Sequence, residues 1–169
     1  EYIIARSREI TEFLLKEGAD IIVVACNTAT AAAIKTLRES YPVRFIGMEP
    51  AVKPAASSTE TGVVGVLATA GTLNADKYQV TREKYSDGVR IVEHVGQGFV
   101  ELVEKGITSG EEAEETVGTS LKPILDEGAD IIVLGCTHYP FLSETISKVA
   151  AELYPDRVLK IIDPAPAVA

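Results

Sequence analysis

The sequence predicts an α/β fold of parallel-sheet βαβ units, arranged as two pseudo-two-fold related domains of which the first is incomplete. Three observations predict it. Short apolar runs alternate with helical periodicity along the chain, the pattern of βαβ units. A ten-residue string occurs twice, EGADIIVVAC at 17–26 and EGADIIVLGC at 127–136, with eight positions identical. Each copy is also followed by the same succession of segments, which points to duplication.

The elements follow in order. Residues 3–16 carry apolar positions at helical spacing and stop at Gly18, a residue suited to ending a helix. Residues 20–25 form a continuous apolar run, as expected of a parallel strand covered on both faces. Alanine-rich 28–40 reads as a helix and 43–48 as a strand. Pro50, Pro54 and the run Ser57, Ser58, Thr59 then mark a loop. A strand at 62–67, a helix at 72–85, a strand at 89–94 and helices near 97–105 and 110–126 come next. The second copy supplies a strand at 130–135, a helix at 140–153 and a strand at 158–162. In both copies a Tyr-Pro pair (Tyr41-Pro42, Tyr154-Pro155) leads through a strand to an acid-Pro-Ala junction, at Glu49–Ala51 and Asp163–Ala165. These junctions are the expected domain crossings: 1–50 in a partial first domain, 51–162 in a second, and 163–169 returning to the first.

Composition limits the function classes. With 46% apolar and 24% charged residues in 169, the chain has material for a core. Sixteen basic against 25 acidic residues give a formal charge of −9, so neither nucleic acid nor an anionic membrane is an expected partner. The longest apolar run, 21–26, is too short to span a bilayer. Residues 1–20 do not read as a signal peptide, and two cysteines fit free thiols in a reducing cytoplasm. The chain begins at Glu1 without methionine and ends just after an apolar run, so both ends are expected to be cuts in a longer protein.

The two cysteines, Cys26 and Cys136, each lie at the carboxyl end of an expected parallel strand, just before a helix, where open α/β sheets bind ligands. A helix N-terminus also lowers a thiol's pKa from about 8.5. Asn27 and Thr28 follow the first cysteine; Thr137, His138, Tyr139 and Pro140 follow the second. Both loops offer small polar groups and backbone N–H donors. Taken singly, either cysteine reads as an inert strand-end residue. The pair has no metal-ligand spacing with His94 and His138, and no C-x-x-C redox motif. Cys136 with His138 would suffice for a thiol hydrolase, but that leaves Cys26 unexplained. Two equivalent thiols suit inversion of a stereocentre, where a base works on one face and an acid on the other.

The segments ACNTATAAA and GCTHYPFL, together with GFVELVE at 98–104, resemble those of the bacterial glutamate racemase family, cofactor-independent enzymes that supply D-glutamate for peptidoglycan. The resemblance implies an active site between two α/β domains, glutamate as substrate, no cofactor and a homodimer. It makes Cys26 and Cys136 the proton-transfer residues and His138 the assistant of Cys136. Asn27 and Thr28 would contact substrate from one side, Thr137 and His138 from the other. Glu104 matches a family acidic residue of the site, although it also reads as a solvated helix-end glutamate. Thr69 and Thr72 fit a substrate loop or, equally, capping duty; His94 fits a structural role. An aspartate racemase is the nearest alternative, and the histidine of GCTHYP argues for glutamate. No lysine in the strand-end loops suits a Schiff base with pyridoxal phosphate. The family's Asp-Ser-Gly and Pro-Tyr-Gly loops do not occur here, which leaves open whether the 169-residue form is active.

Overall fold

The computed structural model describes residues 1–168. Ala169, the last residue of the stretch 163–169 expected to return to the first domain, lies outside the described residues. The duplication is visible as one βαβ unit built twice. Helix α1 (Tyr2–Lys16) leads into β1 (Ile21–Val24), α2 (Asn27–Ser40) and β2 (Arg44–Gly47). Between the copies lie α3 (Val52–Ala56), β3 (Val63–Ala68), α4 (Ala70–Leu73), α5 (Asp76–Tyr85), β4 (Arg90–Val95), α6 (Phe99–Glu104) and α7 (Glu111–Asp126). The second copy runs through β5 (Ile131–Gly135), a 3-10 turn (Tyr139–Leu142), α8 (Ser143–Leu153) and β6 (Lys160–Ile162).

Local chemistry repeats with the sequence. Gly18 and Gly128 take φ of +90° and +93°, a conformation that side-chain-bearing residues avoid. Each closes the preceding helix, with its N–H donating to Leu15 at 3.1 Å and to Leu125 at 3.0 Å. Both strand pairs are parallel and enter in the same register, Ile21 opposite Arg44 and Ile131 opposite Lys160.

The sheets differ in size. β1 and β2 form a two-stranded sheet, whereas the other four strands run in the order β4-β3-β5-β6, all parallel. From β3 the chain passes outward to β4, and from β5 it passes the other way to β6. The adjacent strands β3 and β5 therefore straddle a switch point, the place where such sheets open a crevice at their carboxyl edge. β5 is buried along its whole length between two apolar clusters, one around Leu121, Ile132 and Ile146, the other around Val52, Val66 and Ile131.

Four expectations need correction. The run at 20–25 is not covered on both faces: Ile21 and Val23 are 51% and 47% exposed, because α1 and α2 pack together with the small sheet and leave alternate positions open. The helix expected at 72–85 is two helices. Thr69 accepts the Thr72 N–H and starts α4 early, the chain turns extended at Ala75, and Gln79 Nε2 donates to the Leu73 carbonyl at 2.6 Å across the break. Residues 52–56, expected as loop, form α3. The helix expected from 140 opens as a 3-10 turn containing Pro140 and becomes α-helical only at Ser143. Among the described residues no helix is long and apolar enough to cross a membrane.

At the opposite edge of the large sheet, Asp130 pins the loop before β3. Its Oδ1 accepts from the hydroxyls of Thr59 (2.6 Å) and Thr61 (3.1 Å), and its Oδ2 from the N–H of Glu60 (2.7 Å) and Thr61 (3.3 Å). Burial pushes this carboxyl up, but the hydrogen bonds outweigh it and hold the pKa below the usual value. The stabilisation is therefore complete above the unfolded pKa of about 3.9 and is lost as pH falls through the lower folded value. Asp130→Ala should cost about 1–3 kcal/mol at pH 7. Urea unfolding at descending pH should show the gap between variant and parent closing below about pH 4.

Candidate active site

Cys26 caps α2 with extended backbone (φ −141°, ψ 125°), and its carbonyl accepts the Thr30 N–H at 2.8 Å. Fully buried Thr30 fixes that turn. Its hydroxyl donates to the Val24 carbonyl at 3.0 Å and accepts the Met48 N–H at 3.0 Å, tying the start of α2 to the ends of β1 and β2. Cys136 directly follows Gly135, the last residue of β5.

Register brings the two loops together. Ala68 pairs with Gly135, so Thr69 and Cys136 leave neighbouring strand ends side by side. A side chain at 135 has no room, since a Cβ there would lie 2.6 Å from that of Ala68. Thr28, two residues beyond Cys26, is hydrogen-bonded to Thr69 at 2.9 Å and to Thr72 at 3.2 Å; Thr69 and Thr72 are themselves 3.2 Å apart. Three hydroxyls in a closed ring each donate once, so a further partner must donate to them. Through this ring the Cys26 loop meets the strand ends that carry Thr69 and Cys136.

The two thiols sit in unlike surroundings. Cys136 is half-buried, and that burial is the chief influence raising its pKa. The N–H groups of His138, Tyr139 and Thr137 pull it down, and a negative charge on Cys26 pushes it up. The net direction is upward, which overturns at Cys136 the expectation that a helix N-terminus would lower it. His138 Nδ1 lies 3.9 Å from the Cys136 sulfur, and its Nε2 is 2.6 Å from Glu104 Oε1. Thr137 is exposed, with its hydroxyl 3.5 Å from the same Nδ1. Glu104, Cys136 and His138 thus form one line of groups, brought together by the end of α6 lying over the turn after β5.

The remaining expected residues are placed differently. Asn27 is only 2% exposed and borders a cavity with Met48, Glu49, Thr72 and Tyr78. Thr69 serves both as the cap of α4 and as a member of the hydroxyl ring, and Thr72 is buried. His94 hydrogen-bonds the Val95 carbonyl through Nδ1 at 2.9 Å. Among the described residues no three His, Cys, Asp or Glu side chains gather as a metal cluster.

Thr30, Gly96 and Tyr139 support the site without any local signal in the sequence. Buried Tyr139 underlies the second loop, donating to the Gly96 carbonyl at 3.2 Å and meeting Phe99 edge-on with centroids 4.9 Å apart. A Cβ at Gly96 would lie 2.7 Å from Tyr139 and 2.9 Å from Phe99. No local pattern signals such a contact; the Tyr-Pro dipeptide at 139–140 was the nearest available clue.

Comparison with known proteins places this arrangement. The sequence profile of the Asp/Glu/Hydantoin racemase family matches residues 4–169. A curated glutamate racemase of Ectopseudomonas mendocina is 47% identical over the full chain and 63% of its own length. One from Herpetosiphon aurantiacus is 47% identical over 89% of this chain and 59% of its own length. The chain thus spans about three-fifths of these relatives. Among solved structures, a glutamate racemase isoform of Bacillus anthracis superposes with a TM-score of 0.84 at 29% identity, covering 99% of this chain and 61% of that one. The Escherichia coli glutamate racemase, crystallised with L-glutamate and the activator UDP-MurNAc-Ala, gives 0.83 at 29% identity, covering 99% and 62%.

Two measurements test this geometry. The rate of Cys136 alkylation, followed against pH by mass spectrometry, should reach half its maximum above the 8.5 or so of a free thiol. Gly96→Ala should cost about 1–3 kcal/mol through overpacking against Tyr139, lowering the calorimetric Tm by several degrees.

Proposed function

The chain belongs to the Asp/Glu/Hydantoin racemase family, and we propose that its protein is a glutamate racemase, interconverting L- and D-glutamate by proton transfer between Cα and two thiols. The observation that carries this reading is the Thr28 hydroxyl ring, which joins the Cys26 loop to the strand ends bearing Thr69 and Cys136. One thiolate removes the Cα proton and becomes a thiol. The other thiol then delivers its proton to the opposite face and becomes a thiolate. For the reverse reaction the roles exchange. Burial keeps Cys136 protonated at rest, so its use as a base requires His138 to take the thiol proton, with Glu104 stabilising the imidazolium. Backbone N–H groups after each cysteine are suited to the substrate's carboxylates and to charge developing at the transition state.

In this reading Asn27, Thr28, Thr137 and His138 bind glutamate, with Thr69 and Thr72 supporting from the ring. Residues 1–50 belong to the first domain, 51–162 to the second, and 163–169 return to the first. The protein is a cytoplasmic homodimer, works without a cofactor and supplies D-glutamate for peptidoglycan. The support for substrate choice is the set of glutamate racemases at 47% identity and the L-glutamate complex of the Escherichia coli enzyme.

Incubation in deuterium oxide provides the test. Cα of both L- and D-glutamate should acquire solvent deuterium while the optical rotation of either sample decays. Cys26→Ala and Cys136→Ala should each lower racemisation by at least about 100-fold. Each should still eliminate from an activated glutamate analogue of one enantiomer, with opposite preferences. Near-normal racemisation by either variant defeats the two-thiol scheme. Turnover of aspartate alone transfers the chemistry to that substrate, and an acyl-enzyme on Cys136 indifferent to Cys26→Ser identifies a thiol hydrolase instead.

A further inference from the structure

The apolar clusters of the fold divide between the unit that carries Cys26 (1–50) and the rest of the chain. The cluster around Ile22, Leu37 and Phe45 holds no residue beyond 50, and the other two hold none before 51. Although α2 lies against α4 and α5, no apolar cluster spans the two units. Polar side chains must therefore fix how the units sit against each other. Among the described residues, the side-chain hydrogen bonds and ion pairs that cross from 1–50 to 51–168 fall in two places. One is the ring of Thr28, Thr69 and Thr72. The other is Glu49, whose carboxylate forms an ion pair with Lys77 of α5 and lies 3.4 Å from the Thr81 hydroxyl one turn further on.

Glu49 opens the first of the two acid-Pro-Ala junctions. At the second, Asp163 Oδ1 accepts the Ala165 N–H at 2.9 Å and so caps its own turn. At the first, the acid reaches across to the other unit instead. Proline locks φ at residue 50 and confines residue 49 to extended backbone, so little torsional freedom is left at this crossing. Any rotation that remains swings the Glu49 side chain and must part it from Lys77. The two side chains are 39% and 37% exposed, so dissolved salt screens the pair. An exposed pair adds little to the stability of either unit, but units that share no core need only a small bias. We propose that Glu49 and Lys77 form an electrostatic clasp that fixes the orientation of the Cys26 unit against the Cys136 unit. Both are then positioning residues for the two thiols, and the orientation depends on ionic strength. The clasp stands without the racemase reading; its consequence for the reaction rests on that reading.

Residual dipolar couplings of the nitrogen-15-labelled chain in a stretched, uncharged gel report the orientation without turnover. At low salt, residues 1–48 and 52–168 of the parent should fit one alignment tensor. At about 1 M salt, where the screening length is about 3 Å, the two sets should part. Lys77→Met and Glu49→Gln should part them already at low salt, each set still fitting its own unit, whereas Lys77→Arg should keep the common tensor. A parent indifferent to salt, a common tensor in either neutral variant, or loss of it in Lys77→Arg overturns the clasp. The reaction supplies the second arm. At low salt the KM of Lys77→Met for glutamate should exceed that of the parent by about 1.5- to fivefold, and the gap should close at about 1 M salt. A missing gap, or one that persists at high salt, removes the positioning role. Couplings that obey the clasp in a protein without racemase activity uphold the clasp and defeat the function reading, so the two failures are distinguishable.

Discussion

The arrangement depends on bringing the carboxyl edges of two separate sheets to one place. Parallel strands within a sheet are aligned by their ladder hydrogen bonds, but β1 and β5 share no ladder. The join at the site is made by side chains, the three hydroxyls of Thr28, Thr69 and Thr72. Each such bond contributes about 0.5–1.5 kcal/mol net, far less than the apolar clusters that hold each unit together. The two thiol loops are thus rigidly mounted within their own units and more softly joined to each other.

Duplication sets position while divergence sets chemistry. Both cysteines follow the same strand motif, and both βαβ units start in the same register. Their neighbours then differ. Cys136 stands on a strand buried along its whole length, receives three backbone N–H groups and faces His138 backed by Glu104. Cys26 stands on a sheet with one open face, beside a buried asparagine and above the Thr30 clamp. A pseudo-symmetric frame thus carries unsymmetrical linings around two like thiols.

Glycine governs how closely these parts approach. At Gly135 a methyl group would meet Ala68, and at Gly96 it would meet Tyr139 and Phe99. At Gly135 the missing side chain lets two neighbouring strand ends, and at Gly96 the chain leaving β4 and the turn at Tyr139, pack at a distance that a Cβ would forbid. The crevice edge between β3 and β5 owes its shape to these absences as much as to the groups that line it.

Much of this was legible in the amino-acid order. Apolar periodicity, the glycines at 18 and 128 and the repeated EGADIIV string identify the βαβ units and set both cysteines at strand ends, because those features act over a few residues. That Glu104 and His138 each belong to the site was legible only as a resemblance, and their contact with one another was not legible, since the two residues lie 34 positions apart and nothing local couples them. The open face of β1, the break at Ala75, the burial of Asn27 and the upward shift of Cys136 were not legible at all. Each depends on what packs against a residue from a distant part of the chain, and burial and close approach are properties of the assembled fold. Local pattern determined which residues could carry the chemistry; tertiary packing alone decided which of them share a cavity, a proton or a hydrogen bond.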